Sequence, residues 1–185
     1  MAGCSTDQED KISIIKDFIQ ARKDKNIQTS MKIASADMRV WFEERKGEGI
    51  PWKPEGGRWS RWDDYFNSSK KYGEFSQDSN SVSVTVIETN DFYRLIEGRP
   101  RPVLLTWWLN GDNRISGQLI KSMTDSTFTD KMVEFEEWAK KNNPTELSYL
   151  MPEGNINPDG DRPERWKIIL TAWRRDQGMP KIIDD

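Results

Sequence analysis

Two glutamates close alternating apolar runs. Met38, Val40 and Phe42 stand two apart and lead to Glu44, and Val82, Val84 and Val86 lead in the same way to Glu88. Side chains two apart on a strand share a face, so each carboxylate is predicted to be in phase with a series that turns inward. An acid at the end of an inward face sits on the wall or rim of a pocket. Partial loss of water there favours its neutral form and raises its pKa. Such a group hydrogen-bonds a ligand hydroxyl or shuttles a proton. Glu44 and Glu88 are therefore the candidate catalytic residues, and the polar stretch Thr89-Asn90-Asp91 brings further groups beside Glu88. The plainer reading stays open at both places, because strands end and a terminal Glu reaches solvent.

Other chemistry is narrowed by what the chain lacks. It has no His and one Cys, which excludes thiol–imidazole catalysis, an internal disulfide and a zinc site of the usual Cys/His type. Any reaction must use carboxylates, Tyr, Lys, Arg or bound water, and neither a cofactor nor a metal is expected. The 28 basic and 31 acidic side chains give a net charge of −3 and a pI near 5.3. That balance argues against a binder of duplex DNA, and no nucleic-acid partner is expected. No apolar run approaches the ~20 residues that span a bilayer. Only 35% of the residues are hydrophobic, yet there are nine Trp, seven Phe and four Tyr. Rings of that kind bury about 150–250 Å² each, which excludes a fully disordered chain. A length of 185 residues fits one domain, or one domain with an extension.

The elements that must position these groups follow from periodicity. Ile12, Ile15, Phe18 and Ile19 predict a helix over 7–26, and Met31 with Ile33 a short one over 27–35. Met38 to Arg45 then reads as a strand, and Lys46 to Gly57, rich in Gly and Pro, as a loop. A third helix carries Trp59, Trp62, Tyr65 and Phe66 to about Tyr72. Strands follow at Ser81–Thr89, Val103–Leu109 and Arg114–Lys121, the last two joined by the hairpin turn Asn110-Gly111-Asp112-Asn113. The Arg-rich connection from Asn90 to Pro102 reads as a short strand or turn, and its Arg94, Arg99 and Arg101 as a solvated loop. Helical spacing returns over 129–141, 144–151 and 163–177. Trp107 shares a face with Val103, Leu105 and Leu109, as pocket or core, whereas Trp108 faces the other way. Trp41, Trp59 and Trp62 read as core.

This order of elements resembles the nuclear transport factor 2-like superfamily, including its SnoaL-like branch. The residues that carry the resemblance are Phe18 to Asn26 on the first helix, Ala36-Asp37-Met38-Arg39-Val40 entering the first strand, Trp62 and Tyr65-Phe66 on the third helix, and Trp108 to Ile115 at the late hairpin. The resemblance implies an α+β fold: a cone-shaped, curved, mostly antiparallel sheet wrapped around N-terminal helices. It covers residues 7–124, and 125–185 look like a helical extension found in some bacterial relatives. A site inside the cone is implied, with Phe18, Val40, Phe42, Trp62, Val86, Leu105 and Trp107 as ligand-binding walls. A reaction is not implied, because the fold hosts many. The catalytic places of the steroid-isomerase branch fall near Phe18, Phe42 and Leu105, all apolar, so that mechanism is not expected.

The first residues, Ala2-Gly3-Cys4, resemble the end of a bacterial lipoprotein signal, with residues 1–6 then a tether remnant. As written the chain carries no export signal and reads as cytoplasmic. If those residues close a truncated lipobox, the protein is extracytoplasmic and lipid-anchored at Cys4. Three functions stay open: a binding protein for a small hydrophobic or aromatic molecule, a cofactor-free isomerase, lyase or hydrolase working through a pocket carboxylate, and an interaction protein that forms a homodimer through its sheet or tail.

Overall fold

The structure is a computed structural model that describes residues 6–55, 57–123 and 125–182. Cys4 and the anchoring expectation lie outside them. The chain begins with helix α1 (Thr6–Lys23), which buries Ile15, Phe18 and Ala21 three residues apart, the spacing of one helical face. Lys25 takes a left-handed φ of 52° and stops the helix. Asn26 then caps α2 (Ile27–Ile33), its side chain accepting the Thr29 N–H. Strand β1 (Ala34–Phe42) and the two-residue β2 (Ile50–Pro51) follow, then α3 (Gly57–Tyr65). Next come β3 (Ser69–Gln77), β4 (Ser81–Thr89), α4 (Asp91–Ile96), β5 (Arg101–Leu109) and β6 (Ile115–Ser122). Three helices end the chain: α5 (Thr127–Asn142), α6 (Pro144–Leu150) and α7 (Arg162–Asp176). The expected α+β class and its C-terminal helices are present. Among the described residues no helix is long and apolar enough to cross a membrane.

The six strands form one open sheet in the order β2-β1-β6-β5-β4-β3. β5 and β6 pair antiparallel, as do β1 and β2, while β1 and β6 run parallel. β5 alternates cleanly, with Val103, Leu105, Trp107 and Leu109 buried between half-buried Leu104, Thr106 and Trp108, as read from the sequence.

Three local expectations are corrected. The third helix stops at Tyr65 rather than Tyr72, because Asn67 turns left-handed and the Ser68 N–H bonds the Asp63 carbonyl at 2.8 Å. The freed residues form β3, which the sequence hid. As the edge strand it half-buries Tyr72, Phe75 and Gln77 and buries nothing fully, so no alternating apolar face was needed. The connection after Asn90 is helix α4, capped by the Asn90 side chain on the Tyr93 N–H. In the late hairpin Asn113 takes the left-handed conformation, as the Asn- and Gly-rich turn allows.

The described residues make two compact units. One comprises residues up to Gly57, Lys71–Ile87 and Pro102–Met123; the other Arg58–Lys70, Glu88–Arg101 and the stretch from Thr124 on. The first unit's core packs Ile15 and Phe18 of α1 against Val82, Val84 and Val86 of β4 and Leu105 and Trp107 of β5. The second unit's core is aromatic: Trp62 lies 4.6 Å from Phe66 and 5.0 Å from Phe92, and Trp166 lies 5.4 Å from Phe92, between ring centroids. Each buried ring adds about 0.5–1.5 kcal/mol per pair beyond its burial.

On the face of the first unit's sheet opposite α1, the Trp41 ring lies in a slot between two glycines. A Cβ on Gly117 would stand 2.8 Å from Trp41 Cζ3, and one on Gly49, whose φ is +67°, 2.6 Å from Cε2. Trp108 meets the ring edge-on and Arg45 lies over both indoles. Held from both sides, Trp41 has little room to yield. Gly117→Ala is expected to lower stability by about 1–3 kcal/mol, the cost of overpacking. Gly111→Ala, with open space around it, is expected to change little. Urea denaturation of both variants checks this, and equal midpoints would contradict the slot.

Candidate functional site

Strand register lays out the α1-covered face of the first unit's sheet in rows. Trp107 faces Gln118, Gln118 faces Val40 across the parallel pair, and Val40 faces Ile50. The next row runs from Leu105 through Ile120 to Phe42. Both rows begin covered and end open. Trp107 is 1% exposed and Leu105 6%, whereas Ile50 is 59% and Phe42 52% exposed. Val40, Gln118 and Ile120 between them are half-buried. Beside the rows, Trp52 packs on Phe18 with ring centroids 5.7 Å apart.

Of the expected walls, Phe18, Val86, Leu105 and Trp107 share one core and Val40 lies next to it. Two stand outside that core. Phe42 is exposed at the end of β1, the last full-length strand on its side of the sheet. Trp62 belongs to the core of the second unit. Gln118, Ile120 and Ile50 were missed. Their places depend on the β1–β6 pairing and on an irregularity between Trp108 and Leu109 that shifts the hairpin register; neither leaves a mark in the sequence.

Neither glutamate stands in these rows. Glu44 lies beyond the end of β1, where Glu43 turns left-handed with φ 62°. Its side chain is 62% exposed and pairs with Lys46, so it walls no pocket. Glu88 belongs to the second unit, with its side chain 13% exposed and its Oε1 3.2 Å from Lys70 Nζ. Lys70 also faces Asp63 at 3.7 Å. Near this group, burial and then the Glu88 charge push the Tyr93 phenol up to about 12, against a weaker opposing pull from Arg101. Arg101 lies over the rings of Tyr93 and Phe128. Arg94 faces Asp91, and Arg99 bonds Glu97 and Asp125, so the basic cluster is partnered rather than a solvated loop. Asp91, 11% exposed, also accepts from Asn67 at 2.9 Å and faces Lys167 at 3.7 Å. The network pairs most of its groups internally, and Glu97 Oε1 is buried without a hydrogen-bond partner.

The first unit holds unmatched polar groups as well. Trp107 Nε1 is buried without a hydrogen-bond partner, which costs about 1–3 kcal/mol. Trp166 and Trp173 have the same deficit within a cluster of rings, Phe92 lying 5.4 Å from Trp166 and Phe135 5.6 Å from Trp173. Among the described residues Trp107 has no ring partner, and the Gln118 amide makes no hydrogen bond. A separate open hollow of about 360 Å³ lies on α7, lined by Lys167, Ile168, Thr171, Ala172 and Arg175. All five come from one helix.

No protein-family model matches the chain, and no curated protein matches it. Among solved structures, the chain is similar to IdmH of Streptomyces antibioticus, whose proposed role is polyketide cyclase, with 14% identity and a TM-score of 0.48 over 66% of this chain and 98% of that one. It is similar to SalBIII, an epoxide hydrolase/cyclase-like enzyme of pyran-ring formation in the polyether salinomycin, with 15% identity and a TM-score of 0.47 over 65% and 97%. It is also similar to a nuclear transport factor 2-like protein of unknown function from Cytophaga hutchinsonii, with 12% identity and a TM-score of 0.42 over 63% and 90%.

Two outcomes are expected of the polar network. Glu88→Gln removes the pair with Lys70 but leaves Asp63 facing it, so stability should change by no more than about 1 kcal/mol; a loss of several kcal/mol on urea denaturation would contradict this. Tyr93 ionises near 12 in the folded protein against an ordinary value of 10.0. The unfolded chain therefore gives up this proton first, and stability present below the ordinary value falls as pH rises towards 12. Phenolate absorbance should lose its component near pH 12 in Tyr93→Phe; a profile unchanged there would refute the assignment.

Proposed function

We propose that the protein binds a small, largely apolar molecule on the open half of the α1-covered sheet face, without transforming it. The observation that carries this is the burial gradient along two adjacent rows, which leaves Phe42 and Ile50 exposed beside half-buried Val40 and Ile120. Single exposed apolar side chains are ordinary, but contiguous ones on a face that elsewhere forms core mark a binding surface. Binding is favoured over catalysis by where the acids stand: Glu44 pairs with Lys46 in solvent, and Glu88 pairs with Lys70. Neither belongs to the rows.

Titration with Nile red tests the reading. Phe42→Asp should weaken binding at least tenfold while shifting the melting midpoint by only a few degrees, since the ring is half in solvent. No saturable binding by the wild type would refute it. If Phe42→Asp instead turned a dimer into a monomer and no dye bound, the face would be a homodimer surface. Attachment through a lipid on Cys4 would place the binder at a membrane surface, and an unmodified Cys4 thiol in the mature natural protein, read by mass spectrometry, would dispose of that.

A further inference from the structure

We infer that Trp107 and Gln118 determine specificity on this face and select a neutral ligand bearing an acceptor oxygen, a carbonyl or an ether, on an apolar body; the inference rests on the reading of the face as a ligand site. Trp107 Nε1 is a donor only, buried and unmatched. Its cross-strand neighbour Gln118, whose amide is also unspent, stands between it and the open end at Val40 and Ile50. A ligand entering over Phe42 and Ile50 meets the flexible Gln118 side chain first. It reaches the indole N–H by displacing it.

The charge of the ligand follows from what the rows lack. Trp107, Gln118, Val40, Ile50, Leu105, Ile120 and Phe42 include no ionisable side chain. The guanidinium beside the rows, Arg22 over the Trp52 ring, already donates to the Pro54 carbonyl. An ion placed within the rows would lose hydration with no counter-charge among them, so a carboxylate or an amine is disfavoured. A neutral oxygen acceptor satisfies the indole N–H at no such cost, and the Gln118 amide adds a donor and an acceptor to a second polar group.

Two flat tricyclic probes separate the claims: fluorenone, which carries one carbonyl, and fluorene, which does not. The less polar fluorene would bind more tightly if only burial counted. One buried hydrogen bond reverses this by about tenfold in favour of fluorenone. The expected result is that reversal in the wild type and its loss in Trp107→Phe. Because that variant alters a core residue, the wild-type indole resonance of Trp107 is followed as well, assigned through the backbone. It should move downfield with fluorenone and stay with fluorene. Equal binding of the two probes, or an unmoved indole resonance with fluorenone bound, overturns the inference and leaves the reading of the face intact. Failure of both probes to bind anywhere overturns the two together.

Discussion

β1 is held in the sheet by its parallel pairing with β6, and that register decides which side chains share a face. Its other neighbour, β2, supplies only two residues. A slip of one residue would send Val40 and Phe42 to the opposite face and bring Trp41 inward. Side chains pin the register at both ends. Arg114, at the start of β6, donates to the carbonyls of Met31 and Ala34 at 2.8 and 2.7 Å. At the far end the Glu43 N–H bonds the Ile120 carbonyl, and the Glu43 carboxylate accepts the Ser122 N–H. Between these pins the Trp41 ring occupies space that Gly117 leaves free, so bulk on one face reinforces the order of the other.

Glu43 shows how one residue can hold a strand and end it. Its left-handed backbone turns the chain away from the sheet and carries Glu44 out of phase with Val40 and Phe42. The carboxylate that holds the register is thus not the one that the alternating pattern singles out. Glu88 is in phase by count, yet Lys70 lies within ion-pair distance, and Lys70 sits on the strand that the sequence hid.

What could be read in advance was local. The helical spacing of Ile15 and Phe18, the alternation in β4 and β5, and the opposite facing of Trp107 and Trp108 all express burial against an immediate neighbour, and all are present. What could not be read depends on distant partners. β3 is polar because an edge strand has no second neighbour to satisfy. Gln118 joins Trp107 only through a bulge, and Ile50 joins Val40 only through a bridge of two residues. The candidate site is assembled from such pairings. Phe18, Val40, Phe42, Leu105 and Trp107 could therefore be named from their own strands and helix, whereas Gln118, Ile120 and Ile50 could not.

The interleaving of the two units has a bearing on how the chain is made. Trp62, Phe66 and Phe92 emerge from the ribosome well before Phe135, Trp166 and Trp173, with which they share a core. Until α5, α6 and α7 are all released, that aromatic surface lacks part of the covering its own unit provides. The first unit differs, since its last strand ends at Ser122 and its partners are all synthesised by then. Vectorial synthesis thus gives this protein an early unit that can complete its sheet and a late one with a period of exposed aromatic surface. That period is when chaperone binding or misassociation would act, and substitutions in α7 would lengthen it without touching the sheet.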